Sequence, residues 1–540
     1  MKFQFSGGDR MKLEKLIKDT GCSLNTVRGE RITDDARIRD ILDTEITDIV
    51  NDSRHVTQGC LFFCISGAVR DGHDFAGQVI ADGARVLVVT EGFALSPEDI
   101  RELEERCGKE HLEDIILAGA KDTRLAMAII SAHFYGDPAS RMKIIGVTGT
   151  KGKTTTTYLI RSALLKTGRK AGLIGTIETL YGDVRIPSAN TTPESIVLQK
   201  TFRDMADAGV DTVVMEVSSQ ALKLNRTAGF MFDIGVFTNL SPDHIGPGEH
   251  EDFEDYLRCK SLLFRQCRQG VVNMDDPYAE AVLEGHTCDV FTYSAAYDEE
   301  DAAAAQGPAK KPDLYAIDPV LNRDPAHPGI SFGTKGVLEE HFRVSQPGKF
   351  SVYNALCAIS VCWCLGIDPG KIPDAIKNVN VRGRVEIVPV SSRFTLLIDY
   401  AHNAVALKSL LETLREYEPG RLVCLFGCGG NRSKERRYEM GEVSGTLADL
   451  TIITSDNPRF EEPLDIIKDI ITGIEKTDGK YVEIPDRTEA VRYALKNALD
   501  GDIIVLAGKG HEDYQEIRGV KYPMDEREIV ERIVREEGPF

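Results

Sequence analysis

A chain of 540 residues exceeds what one hydrophobic core supports, and its length points to roughly three or four domains. Hydrophobic residues at 42% and charged residues at 28% describe a globular protein, and a net charge of -20, from 65 basic against 85 acidic residues, argues against a general binder of nucleic acid or anionic membrane. The start MKFQFSGGDRMKLEKLIKD lacks the apolar core of a secretory signal, no window approaches the roughly 18 apolar residues of a membrane span, and the twelve scattered cysteines form no CxxC pair, so a cytoplasmic protein without zinc or disulfides is expected.

Met11 opens a better helix (MKLEKLIKDTG) than Met1 does, so residues 1–10 are expected outside the fold. From Ile46 to Thr90 the β-rich runs ITDIV, LFFCI and RVLVV alternate with Gly/Asp turns, which reads as a small N-terminal α/β domain. Gly136-Asp-Pro138 is a breaker cluster and a natural linker. From Met142 the runs MKIIGV, DTVVMEV, DIGVFTN and GVVNM are apolar, β-branched and separated by helical stretches, as in a parallel sheet with crossover helices. The Ala/Pro/Asp-rich segment Asp298–Gly333 is expected to be irregular. A third block begins near Arg384, where FTLLIDY, RLVCLF, DLTIITS and DIIVLA predict a second open α/β sheet with its active site at the strands' carboxyl ends. The expected fold class is therefore α/β in three domains: 11–139, 140–384 and 385–540.

The strand KIIGV runs into Thr148-Gly-Thr-Lys-Gly-Lys-Thr-Thr155 and then a helix. Glycines allow backbone N–H groups to form a concave cradle for phosphate, and the helix N-terminus adds a positive dipole. Gly149, Thr150, Lys151, Gly152, Lys153, Thr154 and Thr155 are the candidate nucleotide contacts, with Lys153 reaching the outer phosphates and the Thr154 hydroxyl taking Mg²⁺. The spacing departs from the usual phosphate loop, since Val147 stands five before Gly152 where glycine is common. Glu216, at the end of DTVVMEV, would place a carboxylate facing the ligand crevice as an oxygen ligand for the ion.

Further motifs follow in order: Glu216-Val-Ser-Ser219, Thr238-Asn-Leu240 with Asp243-His244, Tyr353-Asn354-Ala355, Gly383-Arg384 and Asp399-Tyr-Ala-His-Asn403. This ordered set resembles the Mur ligase family over nearly the whole chain from Met11. Asp52-Ser-Arg54, Gly59-Cys-Leu-Phe and Asp71-Gly-His-Asp-Phe75 resemble the family's N-terminal uridine-nucleotide domain, in the branch that extends a UDP-N-acetylmuramoyl dipeptide. The resemblance implies a small uridine-nucleotide domain, a central P-loop-type ATPase domain and a C-terminal Rossmann-like domain. It also implies ATP and Mg²⁺, and attack of the D-glutamyl γ-carboxylate on ATP to give an acyl phosphate that an incoming amine displaces. Phosphoryl transfer of this kind needs mainly alignment and charge neutralisation.

By the same resemblance, Lys153, His244 and Lys260 are the catalytic candidates, Lys260 as a carbamate that binds a second Mg²⁺ beside His244. The metal set is Thr154, Glu216, His244 and Lys260. Asn239 and Asn354 would lie near the adenine, and Arg384 and Asp399 near the ribose or phosphates. The UDP-linked substrate would meet Asn51 and Ser53, then Asn190, Thr191, Thr192, Ser218 and Arg226. Three positions depart from the family's wording: Gln220 replaces its usual His, Leu224 a Gln, and Ala404 a Pro.

Ser455-Asp-Asn-Pro-Arg459 matches the motif of members that add meso-diaminopimelate. Diaminopimelate differs from lysine by one distal carboxylate, which a guanidinium can bind with two parallel hydrogen bonds. Leaving that charge without its partner costs roughly 2–5 kcal/mol, about thirty-fold to several-thousand-fold in discrimination. Arg432, Asp456, Asn457, Pro458, Arg459, Gly508 and Glu512 form the implied amino-acid site, with Glu512 holding an ammonium. Addition of lysine or another diamino acid remains the alternative, followed by a non-catalytic relative that binds the precursor. Small-molecule substrates, no nucleic acid, no membrane insertion and a monomer are expected.

Overall fold

The computed structural model describes residues 10–67, 70–243, 245–246, 248–300, 311–324, 327–538 and 540. The expectations for residues 1–9 and for His244 lie outside the described residues. The chain divides into two compact units, Met1–Lys153 with Arg169–Val271 and Asp276–Val290, and Thr154–Gly168 with Val272–Asp275 and Phe291–Phe540.

The first unit opens with the strand Met11–Lys12, paired antiparallel to Glu45–Ile46, and the helix Leu13–Ile17. A five-stranded sheet follows in the order Ser23–Asn25, Ile116–Ala120, Val86–Thr90, Leu61–Phe63, Ile49–Val50, parallel except for its first strand. Side chains alternate across a strand, so Phe62, Leu87 and Leu117 enter one core while Leu61, Phe63 and Ile116 enter the other. Burial on both faces explains why these strands read as continuous apolar runs.

The unit's second sheet includes, as neighbouring strands in this order, Val184–Pro187, Glu178–Tyr181, Ala171–Ile174, Thr212–Glu216, Lys143–Thr148 and Phe232–Phe237. The last four of these strands are parallel and the Glu178–Pro187 hairpin is antiparallel. Lys143–Thr148 lies between strands reached by crossovers on either side, a point of reversal where open α/β sheets bind ligands at their carboxyl ends.

Of the segment expected to be irregular, residues 301–310, 325 and 326 lie outside the described residues, while in the second unit Leu314–Asn322 instead pairs with Gly329–Gly336 in a long hairpin to which His341–Val344 is added antiparallel. Its register slips between Ile317 and Val320, where Asp318 takes a left-handed φ of 50°. This bulge lets Asp318-Pro319 sit inside a strand, at the irregular position where a proline is tolerated. The six-stranded sheet beyond it runs Glu386–Val388, Thr395–Asp399, Ile503–Ala507, Leu422–Phe426, Leu450–Ile453, Tyr481–Glu483, parallel except at the first strand. Helices cover both faces, Leu407, Leu411 and Ile467 on one and Val491, Leu495 and Ile533 on the other. Among the described residues no helix is long and apolar enough to cross a membrane.

Candidate functional site

The loop after Lys143–Thr148 turns at Gly149, φ 150°, and Gly152, φ 84°. A Cβ on Gly149 would run into the Thr238 hydroxyl and stand 3.1 Å from the Asn239 carbonyl oxygen, so only glycine fits. The Thr238-Asn239 segment forms the wall behind the loop. Thr150 N–H donates to the Asn239 carbonyl at 2.8 Å, Lys151 N–H to the Asn239 side-chain oxygen at 2.9 Å, and the Asn239 amide returns a bond to the Lys151 carbonyl at 3.0 Å. Asn239, expected near the adenine, here braces the loop with both ends of its amide. Lys153 curls back, its ammonium donating to the carbonyls of Gly149 at 2.7 Å and Thr150 at 3.0 Å.

The helix Phe253–Arg265 delivers a second lysine to the same place. Lys260 is 1% exposed and donates to the Gly149 carbonyl at 2.9 Å, 4.5 Å above the Tyr256 ring. Burial, reinforced by the charge of Lys153, pushes its proton affinity well below that of an ordinary lysine. The Tyr256 hydroxyl lies 3.1 Å from that of Thr150 in the loop.

One turn earlier the same helix enters a network that the sequence did not reveal. His250, 1% exposed, lies 2.8 Å from the Ser219 hydroxyl through Nε2 and 2.9 Å from Asp255 through Nδ1. Asp255 also accepts from Lys223 at 2.7 Å and Arg258 at 2.5 Å. Burial raises its carboxyl, but these bonds outweigh that and hold it below the usual carboxylate range. Cys259 completes a His/Asp/Cys cluster, yet Asp255 is already committed to two cations and fits a structural brace better than an ion ligand.

Glu216 ends its strand 1% exposed, its carboxylate accepting from the Thr176 N–H at 2.8 Å and hydroxyl at 3.1 Å. A buried, oriented carboxylate at this strand end suits a hard cation. The expected acceptor residues gather beside it. Thr192 donates to the Glu216 carbonyl at 2.9 Å and accepts from Ser218 N–H at 3.1 Å, while Arg226 donates to the Thr192 carbonyl at 3.1 Å and pairs with Glu194 at 2.6 Å. Thr191 joins through Thr176 at 3.1 Å, and Asn190 is exposed on the same loop. Elsewhere in the unit, Asn51 is exposed and Ser53 half-buried on a turn that Asp52 caps, its carboxylate held down to about 2, chiefly by the Arg54 guanidinium.

In the second unit, Thr154 and Thr155 are buried in the first turn of the helix Lys153–Lys166, and Thr156 donates to the Asn354 side-chain oxygen at 3.3 Å. Asp399 ends its strand and accepts from the N–H groups of Val385 and Ala401, each at 2.8 Å. Burial raises its carboxyl, opposed by the charge of Arg384, whose guanidinium lies 4.9 Å over the Tyr400 ring. Val385 is held at φ 43°, a real strain for a β-branched residue. Asn403 caps the helix Ala404–Arg415 through Ala406 N–H at 2.8 Å, so Ala404 serves as the first helical residue where proline is common.

The loop Asp456–Arg459 follows the strand Leu450–Ile453 and meets the loop after Ile503–Ala507. Buried Lys509, absent from the expected set, donates to the Asn457 side-chain oxygen at 2.9 Å and to Glu512 at 2.8 Å. Asn457 in turn donates to Glu512 at 3.0 Å. Burial raises the Glu512 carboxyl, and Lys509 more than offsets it, leaving the group below its usual value. Gly508, φ 104°, lets the chain pass 3.2 Å from an Asp456 oxygen at the Cβ position, and Asp456 caps Asn457 N–H at 2.6 Å. Arg459, φ 53°, directs its guanidinium to Glu516 at 3.1 Å and the Gly430 carbonyl at 2.7 Å, with Pro458 packed on Gly430. Arg432 is exposed. Its neighbour Arg437 is the buried cation, bound to Glu461 at 2.8 Å and Asp469 at 2.9 Å.

A glycine loop and two converging lysines at the end of one parallel sheet define a phosphate-loop α/β protein, and a second parallel sheet carries an Arg/Glu/Lys cluster at its own strand ends. The chain belongs to the Mur ligase family, matching the Mur ligase family catalytic domain over 45–135, the Mur ligase middle domain over 147–362 and the Mur ligase glutamate ligase domain over 383–510. It is 40% identical to UDP-N-acetylmuramoyl-L-alanyl-D-glutamate--2,6-diaminopimelate ligase 1 of Clostridium acetobutylicum, over 97% of this chain and all of that protein. It is 42% identical to the diaminopimelate ligase of Caldanaerobacter subterraneus over 91% of this chain and 95% of that one. A solved structure of a ligase of the same name is 26% identical, covers 98% of this chain and 99% of its own, and superposes with a TM-score of 0.68. A folylpolyglutamate synthase of Mycobacterium tuberculosis, 16% identical with a TM-score of 0.53 over 71% of this chain and 92% of its own, shares the fold.

Proposed function

We propose that this enzyme joins 2,6-diaminopimelate to the D-glutamyl γ-carboxylate of UDP-N-acetylmuramoyl-L-alanyl-D-glutamate, at the expense of ATP, in peptidoglycan precursor synthesis. The observation that carries the choice of amino acid is Arg459, held by Glu516 and the Gly430 carbonyl on the same loop as Asn457, which donates to Glu512. The guanidinium suits the distal carboxylate and Glu512 an ammonium of the same substrate. In this reading residues 11–139 take the uridine nucleotide, 140–384 the ATP and 385–540 the amino acid.

With nucleotide bound, Lys153 would leave the Gly149 and Thr150 carbonyls for the outer phosphates, while the N–H groups at the start of the following helix, beyond the Thr150 and Lys151 donors that Asn239 takes, hold the oxygens in place. Glu216 and Thr154, with Lys260 as a carbamate, would hold Mg²⁺, which supplies charge neutralisation. Lys260 suits that modification: burial lowers its proton affinity and so favours the neutral amine, whose attack on CO₂ forms a C–N bond and releases one proton. Thr192, Ser218 and Arg226 would position the acceptor carboxylate for attack on the terminal phosphorus, and the amine held by Glu512 would then displace phosphate from the acyl phosphate. The reading places the work in the cytoplasm, where ATP and the nucleotide-linked precursor are supplied, and requires no protein partner.

The test is mass analysis of the product formed from the UDP-linked dipeptide, ATP and an equimolar mixture of diaminopimelate, lysine and ornithine. A diaminopimelate adduct is expected. A predominant lysine adduct, or ATP binding without any product, would overturn the reading.

A further inference from the structure

Arg459 belongs by position to the turn after Leu450–Ile453, but its conformation is dictated by another element. Its N–H donates to the Glu516 carbonyl at 3.0 Å and its own carbonyl accepts from Arg518 N–H at 2.7 Å, which makes it an extra bridge alongside the hairpin Tyr514–Ile517/Val520–Pro523. The left-handed φ of 53° follows from that docking. The side chain repeats the arrangement. Nε donates to Glu516 at 3.1 Å and Nη1 to the Gly430 carbonyl at 2.7 Å, with both members of the ion pair about three-quarters buried (23% and 24% exposed). Gly429 is open enough for this approach, since a Cβ there would stand 3.0 Å from Nη1.

We propose that Glu516 is the positioning residue for amino-acid selection: it clamps the Arg459 guanidinium so that the fork meets the distal carboxylate of diaminopimelate already oriented. This rests on the function proposed above. An unclamped arginine would lose several freely rotating bonds on binding substrate, and a clamped one has lost them in advance. The clamp also changes the reason for discrimination. With lysine bound, Arg459 keeps Glu516 as its charge partner, so selection rests on the missing carboxylate hydrogen bonds and on the nearby ammonium rather than on an abandoned charge.

The experiment measures KM for diaminopimelate, ATP and the UDP-linked dipeptide, with kcat, in Glu516→Ala, Glu516→Gln, Arg459→Ala and the double variant Arg459→Ala/Glu516→Ala. Glu516→Ala is expected to raise KM for diaminopimelate about tenfold, leaving the other two KM values within about twofold. Glu516→Gln, whose amide oxygen still accepts from Nε, should recover most of that loss, and the double variant should be no worse than Arg459→Ala. An unchanged diaminopimelate KM in Glu516→Ala, equal losses for all three substrates, or additive effects in the double variant would each overturn the clamp. If Arg459→Ala itself leaves the diaminopimelate KM unchanged, the amino-acid assignment fails. If only Arg459→Ala raises it, the clamp alone fails.

Discussion

Lys153 and Lys260 donate to one and the same acceptor, the carbonyl oxygen of Gly149, at 2.7 and 2.9 Å. Two ammonium groups converging on one carbonyl repel each other, and the buried one yields first. Burial, with the charge of Lys153 beside it, lowers the proton affinity of Lys260, and the proposed mechanism uses that difference by giving the phosphate to Lys153 and the carbamate to Lys260.

Replacing Lys260 with alanine is expected to lower kcat at least about a hundredfold, the loss typical of a group acting in the transition state, with little change in the amount of folded protein. Short carboxylic acids added to this variant should restore part of the rate by standing in for a carbamate. A fully active variant would remove the carbamate from the mechanism.

The depressed proton affinity also makes a stability claim. Between the folded value of Lys260 and its ordinary 10.5, the unfolded chain binds more protons, so stability rises with pH in that window. In CO₂-free buffer, thermal unfolding of the wild type should therefore gain on that of Lys260→Met as pH rises from 7 to about 10, the ordinary range of lysine. A gap that is constant with pH would show that Lys260 titrates normally.

Gly149→Ala should abolish ADP binding in calorimetry and cost about 1–3 kcal/mol of stability, because the new methyl group meets the Thr238 hydroxyl and the Asn239 backbone. Tight ADP binding by this variant would mean that the loop moves away from its wall when it binds nucleotide.

His250→Ala removes a partner from both Ser219 and Asp255 within a buried network, an expected loss of about 1–3 kcal/mol in chemical denaturation. Because His250 ties the turn after Glu216 to the helix that carries Lys260, kcat should fall as well, and His250→Gln should recover part of each. Full stability and rate in the alanine variant would show that the network is dispensable.

Arg459→Ala should raise KM for diaminopimelate about ten- to a hundredfold, the range for loss of a bidentate charged contact, with KM for ATP nearly unchanged. The ceiling is lower than a bare buried charge would give, because Glu516 already compensates Arg459. Equal phosphate release with lysine and diaminopimelate in the wild type would sink the specificity argument.

Legibility in the sequence followed distance along the chain. The phosphate loop, Glu216 at its strand end and the Asp456–Arg459 loop were readable because each is a local pattern whose backbone requirements are written in neighbouring residues. Lys509 and Glu516 were not, since their roles arise only where separate loops meet. NRSKERR shows the limit most plainly: nothing in the run says that Arg437 is enclosed by Glu461 and Asp469 while Arg432 faces water. His250 was hidden in GPGEHED, a stretch without periodicity. The pairing of Leu314–Asn322 with Gly329–Gly336 was missed because an Ala/Pro/Asp-rich composition reads as irregular, and only the bulge shows how Pro319 fits a strand.

The backbone bridge between Arg459 and Ile517 bears on how such an enzyme could be retargeted. Exchanging the four-residue loop by itself would transplant an arginine without the hairpin that shapes it. A successful exchange of amino-acid preference would have to move Asp456–Arg459, Gly429-Gly430 and Tyr514–Pro523 as one cassette. In evolutionary terms, three separated stretches of sequence are then inherited as a single trait.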